Sequence, residues 1–405
     1  MTRPVPVLFV HHRSELGGAP ASLSYLIERL DRDRFTPHVY CPAGPAAQLF
    51  EDAGATVHRG PVASFTHIWA STYRGRRWLL LGRDALMLPG HVTSLRRVLR
   101  EHRFGLVHVN DSPLLLAAAI ADRAGLPVVW HLRSALPGVD DLRSRLIRQA
   151  VARIGTASIA ITQDIADVFD VGSHVIPNAV DLEKFKPGDV HEARRALGLP
   201  LDRPIVAYFG FIYPSKGFRD FIEAAALLRA RGIDARYLIV GGPVRGTDFF
   251  ETTTGRIVRL LDLARNYDLE AREVVSELRL DEQVQFVSFT PETAQLYRAS
   301  DVVVSPSRGP ELGRPVIEAS ACGRAIVASG SLSGAGILMP AETGMLVPQR
   351  SPDVLAVALE RLLSDETIRI ELGRKARAYA EANFDATRNA ERVMDVYDRV
   401  LADAR

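Results

Sequence analysis

Short apolar segments rich in Val and Ile alternate with helical patterns along this chain of 405 residues. Such alternation predicts parallel sheets whose two faces are both covered by helices. The segments form two series of about six, which predicts two Rossmann-like domains rather than one large sheet. The first series lies at 5–10, 37–41, 106–109, 127–132, 158–162 and 174–177, and the second lies at 205–211, 237–240, 284–289, 301–305 and 325–329.

The boundary between the two predicted domains lies in a segment rich in turn formers. Residues 176–189 contain two prolines, and the Pro187-Gly188 pair ends regular structure there. These signals predict a first domain over 1–177, a second domain over 178–388 and a C-terminal helix over 389–405. The helix has an apolar face that includes Val393 and Tyr397, and this face must pack against another element.

Charge and cysteine content limit the classes of partner and the compartment. Lys and Arg number 50 and Asp and Glu number 48, so there is no basic excess to favour a nucleic-acid partner. The two cysteines, Cys41 and Cys322, lie far apart, which favours a reducing compartment. The longest apolar run, 114–121, is too short for a membrane helix, and the first residues lack a secretory signal. We therefore expect a soluble, cytoplasmic protein.

The first predicted domain places candidate ligand contacts at the ends of its strands. Gly17-Gly18 follows the first strand and precedes a helix, so this pair permits a close approach to an anion, although a tight turn alone would explain it. His131 ends a strand at the edge where open parallel sheets bind ligands, and Arg133 follows on the same side. A half-buried histidine with a backbone partner is the alternative for His131. His108, on a neighbouring strand, is a further candidate.

The second predicted domain has a cation and a carboxylate in positions that suit a nucleotide-diphosphate ligand. Lys216 precedes the first helix of this domain, where a cation can neutralise a diphosphate at the helix N-terminus. It is also one of only four lysines, which favours a specific role over a solvated loop lysine. Glu318 follows Gly313 and Pro315 near a helix start, where it can accept hydrogen bonds from two sugar hydroxyls. The helix dipole alone would also favour an acid there.

Patterns typical of metal or cofactor binding are not convincing in this sequence. The segment 31–33 (Asp-Arg-Asp) matches a metal–diphosphate pattern by its letters only and is interpreted as a solvated turn. The sequence contains no tight His/Cys cluster, no phosphate-binding P-loop and no full Gly-x-Gly-x-x-Gly motif. We therefore expect neither a metal nor a bound cofactor.

A stretch over 62–103 mixes aromatic, leucine and arginine residues. It includes Trp69, Tyr73, Arg74, Arg76, Arg77, Trp78 and Arg83. An ordinary surface helix with one packed face would explain this composition. The alternative is a site for the acceptor or for peripheral contact with the inner face of a membrane, where aromatic side chains insert and arginines meet phosphates.

Five motifs occur in an order typical of one enzyme family. They are VIPNAVDLEKFKP at 175–187, YFGFIYPSKG at 208–217, ASDVVVSPS at 299–307, GRPVIEASACG at 313–323 and ETGMLVP at 342–348. In these motifs the chain resembles family 4 of the retaining glycosyltransferases, over nearly its whole length. The resemblance implies the GT-B fold, in which two Rossmann-like domains face each other across a cleft and the last helix crosses back to the first domain.

The same resemblance implies residue roles. Gly18 would lie near the diphosphate and the donor sugar, His131 beside the transferred sugar, Lys216 at the diphosphate and Glu318 at the ribose. The implied catalytic residues are His131, Lys216 and Glu311, and the implied donor-binding residues are Gly17, Gly18, Arg133, Gly210, Lys216, Gly241, Gly242, Leu312, Gly313, Arg314 and Glu318.

Two positions depart from the family pattern. Phe211 follows Gly210 where the family usually has an arginine, so Arg314 or Arg308 is the candidate substitute beside Lys216. Pro310 stands eight positions before Glu318, where the family has a second glutamate. Either Glu311 serves instead, or backbone amides over 312–314 hold the sugar.

The expected activity is transfer of a sugar, with retention and without a metal, from a nucleotide-diphosphate sugar to a hydroxyl group. The donor is expected on the second domain, and a small-molecule, glycan or lipid-linked acceptor on the first. Three alternatives remain: a nucleotide-sugar 2-epimerase, a nicotinamide dehydrogenase and a non-enzymatic two-lobed sugar-binding protein.

Overall fold

The computed structural model describes residues 3–64, 78–134, 136, 142–242, 247–261, 265–288, 290, 292–309, 313–330, 338–339 and 341–403. The chain divides into two compact units. The first unit comprises Met1–Ala179 and Ala386–Arg405, and the second comprises Val180–Asp385. Within the described ranges no helix combines the length and the apolar character needed to cross a bilayer.

The described residues of the first unit form a seven-stranded parallel sheet. Its strands are β1 (Val5–Val10), β2 (Phe35–Cys41), β3 (Thr56–Arg59), β4 (Leu106–Asn110), β5 (Val128–Leu132), β6 (Ala157–Ala160) and β7 (His174–Val175). The helices between them are α1 (Gly18–Glu28), α2 (Pro45–Asp52), α3 (Trp78–Glu101), α4 (Leu115–Arg123), α5 (Leu142–Ile154) and α6 (Gln163–Phe169). The strand order β3-β2-β1-β4-β5-β6-β7 reverses between β1 and β4. Open parallel sheets bind ligands at such a reversal, outside the carboxyl ends of the strands.

The second unit, in its described part, contains a six-stranded parallel sheet of order β10-β9-β8-β11-β12-β13, which reverses between β8 and β11. The strands are β8 (Ile205–Phe209), β9 (Arg236–Val240), β10 (Val284–Val287), β11 (Val302–Ser305), β12 (Ala325–Ser329) and β13 (Met345–Val347). The helices are α7 (Val190–Leu197), α8 (Phe218–Ala230), α9 (Thr247–Glu251), α10 (Thr253–Leu260), α11 (Tyr267–Glu277), α12 (Thr293–Ala299), α13 (Arg314–Ala321), α14 (Pro352–Ser364) and α15 (Glu366–Asn383).

The last helix, α16 (Ala386–Asp403), belongs to the first unit and covers one face of its sheet. Val393, Tyr397 and Val400 are each at most 4% exposed, and they pack in one cluster with Phe9 of β1 and Phe35 of β2. The apolar face read from the sequence is therefore buried against the first sheet. The packing of α16 on the sheet of the first unit agrees with the fold that the resemblance implies.

Two short strands were missed by the sequence prediction because they lie at sheet edges. Strand β3 pairs with β2 alone and has no buried residue, so it lacks the continuous apolar run of a central strand. Strand β13 has only three residues. The predicted strand over 205–211 is too long, since Gly210 takes a positive φ of 140° and ends it at Phe209.

Candidate functional site

Lys216 lies at the point where the strand order of the second sheet reverses. The loop after β8 forms a short 3₁₀ turn, Pro214–Lys216, and leads directly into α8. The Lys216 side chain is exposed, and no described carboxylate forms an ion pair with it. A free cation at the N-terminus of a helix, at a topological switch point, suits an anionic ligand.

Gly217 fixes the backbone between Lys216 and α8. Its φ is 73°, and a Cβ there would lie 1.7 Å from the carbonyl oxygen of Pro306. Only glycine permits both this conformation and this approach. The loop after β8 is thereby packed against the loop after β11, and Lys216 is held at their junction.

Arg308 is brought to the same junction from the loop after β11. Its backbone N–H donates to the oxygen of Ser215, the residue before Lys216, at 2.8 Å. Its guanidinium donates to both carboxylate oxygens of Asp220 in the first turn of α8, at 3.0 Å from Nε and 2.5 Å from Nη2. Of the two candidate substitutes for the arginine missing at Phe211, Arg308 is therefore the one fixed beside the start of α8.

Arg314, the other candidate substitute, pairs with Glu318 one turn further along α13. Its Nε and Nη2 donate to Glu318 Oε1 at 3.0 and 2.8 Å, and Tyr297 donates its hydroxyl proton to Oε2 at 2.9 Å. Both charged side chains are largely buried, at 9% and 14% exposure. Glu318 is thus held rigidly by protein partners, and its predicted bonds to a ribose would be additional to these.

The remaining predicted donor-binding residues that the structure describes in the second unit are four glycines, and they differ in backbone conformation and contacts. Gly210 and Gly241 have φ of 140° and 143°, and a Cβ on Gly241 would lie 2.0 Å from the oxygen of Gly210. These two glycines are explained by the close approach of β8 and β9 at their carboxyl ends. Gly242 accepts a hydrogen bond from Ile212 N at 3.1 Å. Gly313 is the N-cap of α13 with an ordinary φ of −79°.

Glu311 and Leu312 lie outside the described residues. That Glu311 acts in catalysis and that Leu312 contacts the donor therefore stay predictions from the sequence.

The loop after β1 leads into the glycine pair that the sequence singled out in the first unit. Gly17 is the N-cap of α1 with extended backbone, and the helix begins at Gly18. The oxygen of Gly17 accepts from Ala21 N at 3.1 Å, so the pair forms the first turn of α1.

Arg133 is the centre of a buried polar network at the carboxyl ends of β4 and β5. Its Nε donates to Asn110 Oδ1 and its Nη1 to Asn178 Oδ1, each at 2.5 Å. Its backbone N–H donates to Asp111 Oδ1 at 3.1 Å, and Ser134 donates to Asp111 Oδ2 at 2.6 Å. Burial raises the pKa of Asp111, against the lowering effect of these donors. Asn110, Asp111 and Asn178 were not predicted from the sequence, because single polar residues after a strand carry no distinctive spacing.

His131 is buried, at 5% exposure, and not half-buried as its alternative interpretation supposed. The difference arises because β5 is a central strand with α16 and the Arg133 network around its end. His131 Nδ1 lies 3.2 Å from His108 Nε2 and 3.2 Å from Arg133 Nη2. Burial, with Arg133 and His108 beside it, lowers the pKa of His131 well below its ordinary value of 6.5. His131 is therefore a neutral side chain at physiological pH.

The stretch over 62–103 is described only in part. Trp69, Tyr73, Arg74, Arg76 and Arg77 lie outside the described residues, and α3 covers most of the remainder. The interpretation of this stretch as an acceptor or membrane contact stays a prediction.

Replacing Glu318 with Gln is expected to weaken binding of a nucleotide-diphosphate sugar by about 10- to 150-fold, the range for a lost charge-assisted pair of hydrogen bonds. Calorimetric titration measures this directly. The control is Tyr297→Phe, which removes a bond to the same carboxylate but keeps its charge. Both variants lose stability, and only Glu318→Gln loses affinity. Equal dissociation constants for Glu318→Gln and the unaltered protein would assign Glu318 to structure alone.

Comparison with known families and structures agrees with the motifs. Residues 189–381 match the family model described as Glycosyl transferases group 1, and residues 16–184 match that of Glycosyltransferase Family 4. The two matches lie in succession along the chain and leave only short segments at its ends and between them. These two family matches confirm the resemblance inferred from the five sequence motifs.

Several relatives share part of the chain. D-inositol 3-phosphate glycosyltransferase of Rhodococcus erythropolis is 29% identical over 344 residues, which cover 78% of this chain and 74% of that protein. The protein of the same name from Corynebacterium urealyticum is 32% identical over 262 residues, 60% of this chain and 57% of that protein. For the relative from Saccharomonospora viridis the matched part spans about half of the relative's length, 49%.

Two solved structures have a similar fold over 98% of this chain. HepE of Anabaena superposes with a TM-score of 0.76 at 20% identity, covering 98% of this chain and 100% of that chain. Sucrose-phosphate synthase of Thermosynechococcus elongatus gives a TM-score of 0.74 at 21% identity over the same shares. These likenesses confirm the predicted fold class, which is α/β with two Rossmann-like parallel-sheet domains. The chain therefore belongs to the glycosyl transferases of group 1, the family-4 glycosyltransferases, and has their GT-B fold.

Proposed function

We propose that this glycosyltransferase moves a sugar from a nucleotide-diphosphate donor to a hydroxyl group, with retention at the anomeric carbon and without a metal ion. The observation that carries the proposal is the pair of cations at the start of α8. Lys216 is exposed and unpaired among the described residues, and Arg308 is fixed beside it by Ser215 and Asp220. Together with the N-terminus of α8, they form an anion site at the switch point of the second sheet.

The chemistry of the reaction explains why such a site is useful. Cleavage of the bond between the sugar and the phosphate leaves negative charge on the diphosphate and develops positive charge on the sugar ring. Fixed cations and helix N–H groups stabilise the diphosphate as its charge develops, and they need no metal to do so. In a retaining reaction on one face of the sugar, the departing phosphate accepts the proton of the attacking hydroxyl. No separate protein base is then needed.

His131 would serve the sugar rather than the diphosphate. Its pKa is lowered well below 6.5, with burial as the main cause, so it would act as a neutral hydrogen-bonding group and not as a charged acid. Arg133 and its carboxamide partners hold its position. A neutral imidazole can orient a sugar hydroxyl without repelling the positive charge that develops on the ring.

The similar proteins indicate which substrates to try first. The relatives named D-inositol 3-phosphate glycosyltransferase favour a phosphorylated polyol as acceptor. HepE has been solved in complex with UDP and with UDP-glucose, which makes uridine-linked donors the first choice. We extend both suggestions to this chain as part of the proposal.

The proposal is tested by donor screening followed by product analysis. UDP- and GDP-linked sugars are expected to raise the melting temperature by mass action, and the matching donor is expected to yield a glycoside with an acceptor such as inositol phosphate. Turnover is expected to persist in excess chelator. Loss of turnover in chelator, restored by Mg²⁺ or Mn²⁺, contradicts metal independence. Formation of an epimerised sugar with no glycoside supports the 2-epimerase alternative.

A further inference from the structure

Three buried side chains from three elements of the first unit form one hydrogen-bonded chain. Tyr397 of α16 has its Oη 2.7 Å from Nδ1 of His108 in β4. His108 Nε2 lies 3.2 Å from Nδ1 of His131 in β5. Tyr397 and His108 are 0% exposed and His131 is 5% exposed. The last helix of the chain is thereby connected to the end of β5.

The direction of each hydrogen bond in this series of three side chains follows from Arg133. A guanidinium group can only donate, and Arg133 Nη2 lies 3.2 Å from His131 Nδ1, so this nitrogen is the acceptor. A neutral His131 then carries its proton on Nε2. Since His131 Nδ1 accepts, His108 must donate to it from Nε2, and His108 in turn accepts at Nδ1 from the Tyr397 hydroxyl.

The chain of bonds ends in a donor that has no partner. His131 Nε2 is buried and forms no hydrogen bond with any described atom. His131 also lines a pocket of the first unit together with Ser22, Arg133, Asn178 and Asn389. A buried N–H without an acceptor costs free energy, which makes this atom a place where a ligand oxygen is favoured.

We infer that Tyr397 is a positioning residue for sugar transfer. Through His108 it holds His131 in the tautomer whose Nε2–H donates to an oxygen of the transferred sugar. The inference rests on the proposed function. Without the Tyr397 hydroxyl, His108 Nδ1 has no donor, and the His108 proton can move to that nitrogen. The Nε2 lone pair of His108 then faces the Nδ1 lone pair of His131, and the fixed tautomer is lost.

The first readout is spectroscopic and needs no activity. In protein labelled with ¹⁵N-histidine, the ¹⁵N shifts of His131 and His108, assigned with His131→Asn and His108→Asn, are expected to show a protonated Nε2 and an unprotonated Nδ1 in both rings. Tyr397→Phe is expected to give mixed tautomers. If His131 carries its proton on Nδ1, or if Tyr397→Phe leaves both tautomers unchanged, the inference is wrong whatever the activity is.

The second readout separates positioning from stability. Tyr397→Phe is expected to lower kcat by about tenfold while the affinity for the bare nucleotide diphosphate stays within about twofold. The matched control is Tyr40→Phe, which removes a hydroxyl bonded to Pro61 O at 2.9 Å in the same unit. The control is expected to lose similar stability with kcat unchanged. Equal kcat in the two variants overturns the inference. If the wild-type protein transfers no sugar, the proposed function is wrong, and the tautomer measurement alone then tests the hydrogen bonds from Tyr397 through His108 to His131.

Discussion

Replacing Lys216 with methionine is expected to lower kcat by about 100-fold or more. An interaction that stabilises developing charge on the leaving diphosphate contributes about 3 kcal/mol in such sites. Lys216 is exposed and forms no ion pair with a described carboxylate, so the substitution leaves the packing of the second unit unchanged. Steady-state kinetics with the donor found by screening, together with a melting curve of the same preparation, measures both effects.

The matched control for Lys216→Met is Lys375→Met, at a solvent-exposed lysine that pairs with Glu371 on α15. That variant is expected to keep its kcat within about twofold, because an exposed ion pair contributes little. If Lys216→Met also keeps its kcat within about threefold, Lys216 does not act on the leaving group.

Arg308 requires a separate comparison, because it also neutralises Asp220. The variant Arg308→Met leaves the Asp220 carboxylate, 5% exposed, without its partner at the start of α8. In the double variant Arg308→Met/Asp220→Asn that carboxylate is also gone. If Arg308 contacts the diphosphate, kcat stays low in the double variant. Recovery of kcat to within about threefold would show that Arg308 only balances Asp220.

The first unit is expected to lose at least about 5 kcal/mol of unfolding free energy between about pH 7.5 and 5.5. Seven described histidines of the first unit have lowered pKa values, chiefly through burial: His11, His12, His38, His58, His91, His108 and His131. The pKa is about 3 for His12 and about 4 for His38 and His91. The expected loss counts only the four that are buried, His11, His91, His108 and His131. In the unfolded chain the pKa of each returns to about 6.5, so unfolding takes up protons as the pH falls. The stability is present above about pH 6.5 and is lost below it, by up to about 1.4 kcal/mol per histidine and pH unit.

The acid effect can be measured in the first unit alone. All three tryptophans of the chain, Trp69, Trp78 and Trp130, lie in this unit, so urea unfolding followed by tryptophan fluorescence reports on it. His91→Asn keeps an acceptor for the backbone N–H of Ala63 but cannot titrate, and we expect it to remove about 1.4 kcal/mol of the pH dependence. A change below about 1 kcal/mol over this pH range in the unaltered chain contradicts the prediction.

The architecture could be predicted from the sequence because it depends on local patterns. Val- and Ile-rich runs separated by helical segments specify parallel strands, and the turn-rich segment 176–189 with its Pro187-Gly188 pair predicts a change of domain. The apolar face of α16 predicted that this helix packs on a partner, and the family motifs indicated which sheet it covers. The loop that bears Lys216 is a predicted site because a rare lysine and a glycine stand between a strand and a helix.

The contacts within the candidate site could not be predicted, because they join residues far apart in sequence. Arg308 meets Asp220 across 88 positions, and Tyr397 meets His108 across 289. Residue type and spacing suggested that His131 lies at a strand end, but burial and a guanidinium neighbour decide that it is neutral and which of its nitrogens carries the proton. The sequence by itself determined the two α/β units and the residues available at their strand ends. Only the tertiary structure decided which of those residues touch, since charge state and tautomer depend on distances of a few ångströms between strands and helices that lie far apart in the sequence.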